Sequence, residues 1–249
     1  MALVEKILAD LPEGRVDSVR VGLMWTMVVV ETDRGKQAGM AATLLKRKPE
    51  VDRKPVVSNP TGLTELTSRE LTNLVYSSSA TEVSIGAAAI NALTPHNLTD
   101  WVELNAEDYI LQHGRDRKVA VIGHFPFVEN LKSKVGHLWV FELNPCGDDL
   151  PAEMEDEILP QADLVAITGM TMLNGTFDHV ISCCTPQAEK IVVGPSTLMH
   201  PAMFKYVDVL CGSIVDDPDR VGRMVCQGAS MHQIHRAGGI RMVTMAKGQ

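Results

Sequence analysis

Lys118 to Phe127 reads KVAVIGHFPF, a fully apolar strand that runs into Gly123 and then a His-Phe-Pro-Phe turn. A continuous apolar run bounded by glycine and proline is the pattern of a strand buried on both faces of a parallel sheet. About twenty residues on, HLWVFELNP (His137 to Pro145) repeats the form and closes on the acidic Glu142, a spacing that a dinucleotide or adenosine fold would use. Gly123 is nevertheless the one glycine of a G-x-G-x-x-G fingerprint that is present, so the fingerprint itself fails. The stretch marks a site more clearly than a ligand.

Outward from it, strands are expected at 118–123, 138–143, 163–168, 190–194, 207–212 and 240–245. Helical candidates lie between them at 129–134, 152–161, 177–184, 201–205 and 219–227. Buried β-branched runs alternating with helices predict a Rossmann-like, doubly wound, mainly parallel sheet, and its ligand crevice should lie outside the carboxyl ends of the strands. Those ends read Gly123-His124-Phe125-Pro126, Glu142-Leu143-Asn144-Pro145, Thr168-Gly169-Met170-Thr171, Gly194-Pro195-Ser196-Thr197 and Gly212-Ser213. Glycine, proline and hydroxyl residues punctuate such loops in any α/β protein. Glu142 and His124 are needed neither to cap nor to turn. Glu142 reads as an acceptor for a ribose or polyol, or as a solvated carboxylate. His124 reads as a general acid or base, a metal ligand, or a ring stacked on Phe125 or Phe127.

Upstream, Met1 to Leu11 places Leu3, Val4, Ile7, Leu8 and Leu11 on one helical face and lacks the unbroken apolar core of a signal peptide. Val16 to Leu23 and Trp25 to Thr32 read as strands, and Asp33-Arg34-Gly35 as a hairpin returning through Lys36 to Ala42. Thr67 with Glu70, and Ser79 with Glu82, are spaced as two capping boxes. The second opens ATEVSIGAAAINAL (Ala80 to Leu93), whose run from Gly86 to Ala89 lets another backbone approach closely and suggests a helix wedged between two bodies. The expected division is therefore a small α+β domain over 1–94 and the Rossmann-like domain over 95–249.

A formal net charge of −8 with no Lys/Arg stripe argues against nucleic acid as a partner, and no run is long enough to span a membrane. Five cysteines, odd in number and without C-x-x-C, point to reduced thiols in a cytoplasm. Cys183-Cys184 at a helix end point too far apart to share a metal and read as buried small hydrophobes. His232 and His235 read as a solvated helix face. The acids Asp148-Asp149 and Glu153 to Glu157 invite a divalent-cation reading, but beside Pro151 they read rather as a solvated helix end. Walker, nucleophile-elbow and zincin motifs are absent from the sequence.

Taken together, SIGAAAINAL, VIGHFPF, FELNP, ITGMTMLNGT, VVGPST and VLCGSIV resemble the family described as "Putative heavy-metal chelation" over nearly the full length. The resemblance implies a small domain similar to the N-terminal domain of enolase, then a Rossmann-like domain with partial likeness to methyltransferases, and a ligand site where the two meet. It carries over His124, Phe125 and Pro126, then Glu142, Asn144, Thr168, Gly169, Asn174, Gly194, Pro195 and Ser196, with Glu82 and Asn91 from the bridging helix. The expected ligand is a divalent heavy metal or a metal-chelating small molecule, one that is pterin-, flavin- or siderophore-like and that the protein makes, modifies or holds. Two further readings stay open: a non-catalytic carrier of a metal or metal complex, and an S-adenosylmethionine-dependent methyltransferase. A homodimer is the default assembly.

Overall fold

The computed structural model describes residues 2–45, 55–96 and 101–248; Met1 of the expected first helix lies outside the described residues. The chain opens with α1 (Ala2–Asp10), β1 (Arg15–Val21), β2 (Trp25–Thr32), β3 (Gly35–Ala42), α2 (Ser68–Thr72) and α3 (Ala80–Leu93). It continues with α4 (Ala106–His113), β4 (Lys118–Ile122), α5 (Val128–Leu131), β5 (His137–Glu142), β6 (Leu150–Pro151), α6 (Glu155–Ile158) and β7 (Leu164–Thr168). It closes with α7 (Met170–Asn174), α8 (Phe177–Cys183), β8 (Glu189–Val193), β9 (Val209–Val215), α9 (Pro218–Cys226), α10 (Met231–Ala237) and β10 (Ile240–Ala246). This is the mixed α/β class that the sequence predicts.

Packing gathers the chain into two compact units. The first holds Met1–Asn97, Leu198–Ala202 and Ser213–Met242; the second holds Leu98–Thr197, Met203–Gly212 and Val243–Gln249. Where the linear reading places one boundary near Thr94, packing also draws α9 and α10 into the unit that contains the N-terminal segment.

In the first unit, β1, β2 and β3 form an antiparallel meander, with β2 and β3 in register from Trp25↔Ala42 to Thr32↔Gly35. Gly35 takes the positive φ, 84°, that this tight turn requires. Met27, Val29, Ala38 and Met40 pack with Val221 and Val225 of α9 and Ile234 of α10. Against β3 lies α3, buried from Thr81 to Leu93. A Cβ on Gly39 would stand 2.2 Å from Ala92 N and 2.3 Å from Ala88 O, so this approach is open only to glycine. Thr67 and Glu70 form the expected capping box. Ser79 and Glu82 do not: the Ser79 hydroxyl donates to the Val56 carbonyl, and the Glu82 carboxylate accepts from Ser58 N at 2.7 Å and from the Ser77 hydroxyl. Groups in the preceding segment have taken both: an acceptor for the Ser79 hydroxyl and donors for the Glu82 carboxylate.

The large sheet has the order β10-β9-β8-β7-β4-β5-β6, with parallel pairing from β9 through to β6. On one face Val119, Val121, Leu164, Ala166, Ile191 and Val193 pack with Tyr109 and Ile110 of α4 and with Val128 and Leu131 of α5. The alternate residues Ala120, Ile122, Val165, Ile167 and Val192 are buried as well. Burial on both faces explains why these strands read as unbroken apolar runs. From β4 the chain moves outward to β5 and β6, then returns to the other flank of β4 with β7. The order therefore reverses between β4 and β7, where an open sheet leaves a crevice at its carboxyl edge.

Candidate functional site

That switch point is where Gly123, His124 and Phe125 leave β4 and where Thr168 and Gly169 end β7. Gly123, Gly169 and Gly194 each extend the sheet by one rung, donating to Phe141 O at 2.7 Å, Val193 O at 2.9 Å and Cys211 O at 3.0 Å. These amides are committed to the ladder, so the glycines contribute space rather than donors. Gly123 and Gly194 have φ of 99° and 103°, and added Cβ atoms there would meet the Phe125 ring at 3.6 and 3.7 Å. On Gly169 a Cβ would stand 2.5 Å from Thr197 N. At Gly123 and Gly194 it is the positive φ that calls for glycine, since the Phe125 ring lies at ordinary contact distance, whereas the bare Gly169 lets the Pro195–Thr197 loop close on β7. Phe125 and Phe127 stack at 5.0 Å between centroids and 8° between planes, a rigid apolar wall held by the turn at Pro126.

His124 is the polar group of this edge. Its backbone N–H donates to Glu142 Oε2 at 3.3 Å, and its Nδ1 lies 2.8 and 2.9 Å from the two Asp149 oxygens. The Asp149 side chain is 5% exposed while that of His124 is 44% exposed. An ionised carboxylate can only accept, so Nδ1 carries the proton and Nε2 of the neutral ring is left with its lone pair. Asp149 also accepts from Cys146 N at 3.3 Å, which ties the dyad to the loop before β6. His124 and Asp149 line a cavity of about 380 Å³ together with Trp139, Lys132 and Cys146.

Thr168 and Asn174 have local partners. Thr168 Oγ1 accepts from Met170 N at 3.3 Å, and Asn174 Oδ1 accepts from Thr176 N and Oγ1 at 3.1 and 2.8 Å, a loop-closing role. Asn144 is exposed, Ser196 and Gly212 are buried, and Ser213 is half-buried in the first unit. Asn91, also in that unit, donates to Met40 O at 3.1 Å and accepts from Met199 N at 3.4 Å. The switch point thus brings together Gly123, His124, Phe125, Glu142, Thr168, Gly169, Gly194 and Ser196.

Two readings of the sequence need correction. The acids around Pro151 are not simply a solvated helix end, because Asp149 is buried against His124 and Glu155 is 4% exposed on α6. Cys183 is not a buried hydrophobe: it is half-buried, and its Sγ lies 3.0 Å from Asp156 Oδ1 and 3.8 Å from His179 Nε2. Cys184 points elsewhere, donating to Val180 O at 3.2 Å. The spacing H-x-x-x-C at 179–183 on an expected helix was a legible sign of the His–Cys pair; nothing local in sequence ties Asp149 to His124. Burial raises the Glu155 carboxyl, and burial together with Asp156 pushes the Cys183 thiol up to about 12.

Among the described residues, no helix is long and apolar enough to cross a membrane. The family model described as "Putative heavy-metal chelation" matches residues 105–244, and a second model of the same description matches residues 4–94. An uncharacterized protein of Methanocaldococcus jannaschii is 31% identical over 192 residues, 74% of this chain and 71% of its own. The crystal structure of a protein of unknown function from Desulfitobacterium hafniense matches with a TM-score of 0.80 at 24% identity, covering 99% of this chain and 98% of that one. A second, from Pyrococcus horikoshii, matches with a TM-score of 0.79 at 23% identity over 98% of each chain. At those identities the structural likeness speaks for the fold. The coverage of the two models places the chain in a family: it belongs to the one described as "Putative heavy-metal chelation".

Proposed function

We propose that the protein binds a small planar metal-chelating molecule, pterin-, flavin- or catechol-like, at the carboxyl ends of β4, β7 and β8, and exchanges a proton with it through His124. The observation that carries this reading is the His124–Asp149 pair at the switch point, with a buried carboxylate holding Nδ1 and leaving Nε2 as an acceptor. A chelating hydroxyl must lose its proton to hold a metal. Nε2 takes that proton, and Asp149 stabilises the imidazolium that results. Phe125 and Phe127 supply an apolar wall for a flat ring. Glu142, which holds the His124 backbone, fixes the start of the loop.

Calorimetric titration with a pterin, a flavin, a catechol and a hydroxamate, each alone and with ferric ion or nickel, tests the reading. At least one should bind the parent protein and bind His124→Ala about ten-fold or more weakly, the usual loss of a charge-assisted hydrogen bond. No binding by any of them, or equal binding by a folded His124→Ala protein, would overturn it.

A further inference from the structure

We propose a separate metal site on the second unit, in which Asp156, His179 and Cys183 hold one thiophilic divalent cation of the zinc, cobalt and cadmium type. One ligand atom from each of the three lies within 4.8 Å of the others. The pairs are 3.0 Å for Cys183 Sγ to Asp156 Oδ1, 3.8 Å for Cys183 Sγ to His179 Nε2 and 3.9 Å for His179 Nε2 to Asp156 Oδ1. Zinc bond lengths in a tetrahedron place such donors about 3.4–3.6 Å apart, between the observed values. Small rotamer changes therefore close the cage.

A second observation points to the same place. Glu155, 4% exposed and next in sequence to Asp156, places its Oε2 3.6 Å from His179 Nε2. A buried carboxylate beside other acids is costly, and a bound cation offsets that cost. Glu155 is then positioned as the fourth donor, or as acceptor for a metal-bound water. The docking of α6 on α8 builds the set: Glu155 and Asp156 come from one helix, and His179 and Cys183, one turn apart, from the other. Thiolate with imidazole selects zinc-like and softer ions over magnesium or calcium. This site is independent of His124.

Cobalt titration of chelator-stripped protein reads thiolate ligation directly. The parent protein should take up one cobalt ion per chain with a thiolate-to-cobalt charge-transfer band and tetrahedral ligand-field bands, and zinc should displace it. Cys183→Ser should lose the charge-transfer band, and His179→Ala should bind about ten-fold or more weakly, while Cys146→Ser behaves as the parent. Thermal unfolding of the metal-free variants checks that each is folded. Absence of the band in the parent, its persistence in Cys183→Ser, or its loss in Cys146→Ser would overturn the assignment.

Discussion

His124 and Asp149 stand 25 positions apart in sequence and meet only because the loop before β6 returns to the end of β4. Removing His124 leaves a buried carboxylate short of its partner, so part of the cost of His124→Ala is stability rather than binding. Because the ring is nearly half exposed, a double-mutant cycle with Asp149→Ala should give a coupling of about 1 kcal/mol in urea unfolding. Strict additivity would mean that the pair does not form in solution. The cysteines offer a second check. With its thiol pushed up to about 12, Cys183 of the metal-free protein should resist iodoacetamide at pH 8 while exposed Cys146 and Cys226 are labelled. Peptide mass spectrometry reads the order, and equally fast labelling of Cys183 would contradict it. At this scale the sequence showed His124 and Glu142 as residues with no local duty. It hid Asp149 among acids that looked solvated, because burial of a loop carboxylate depends on a fold contact that no periodicity records.

The elements were more legible, since strand and helix carry their own periods. The buried runs of β4, β5, β7 and β8 and the small residues of α3 announce themselves; β6, two residues long, has no period to read. Gly39 of β3, unlike Gly35 at its turn, is explained only by packing. Gly39→Ala would push a methyl into the α3 backbone and should cost about 3 kcal/mol, read as a lowered urea midpoint. A stability loss below 1 kcal/mol would mean that α3 and β3 sit farther apart. Across the larger sheet, Tyr109 of α4 donates to Glu189 of β8 at 2.7 Å, and Arg117 donates to the same carboxylate at 2.6 Å. Burial acts to raise the Glu189 carboxyl, but the hydrogen bonds from Arg117 and Tyr109 and the charges of His113 and Arg117 outweigh it and hold it below the ordinary value. A carboxyl depressed in the folded state adds stability above its unfolded value, near about 4.3, and that contribution is lost as pH falls through the folded value. Arg117→Ala should therefore cost about 1–3 kcal/mol at pH 7, with the difference from the parent shrinking below about pH 4. The same difference at pH 7 and pH 3 would assign the cost to the Arg117 bond with Asp163 O instead.

For the whole molecule, the family models follow the order of the chain, 4–94 and then 105–244, whereas packing returns 213–242 to the unit that begins it. Sequence patterning could not show this, because α9 and α10 carry ordinary amphipathic faces, and the surface they cover, Met27, Val29 and Met40, is set by tertiary contact. The switch point between β4 and β7 was readable as a set of strand ends but not as an order of strands. That order makes the His124 edge the crevice of the sheet, and it is here that the ligand is proposed to bind. A crystal structure grown with the tightest-binding chelator tests it most directly. A ligand oxygen is expected about 2.6–3.2 Å from His124 Nε2, with the flat ring against Phe125; a ligand bound elsewhere, with His124 still facing solvent, would rule this binding mode out.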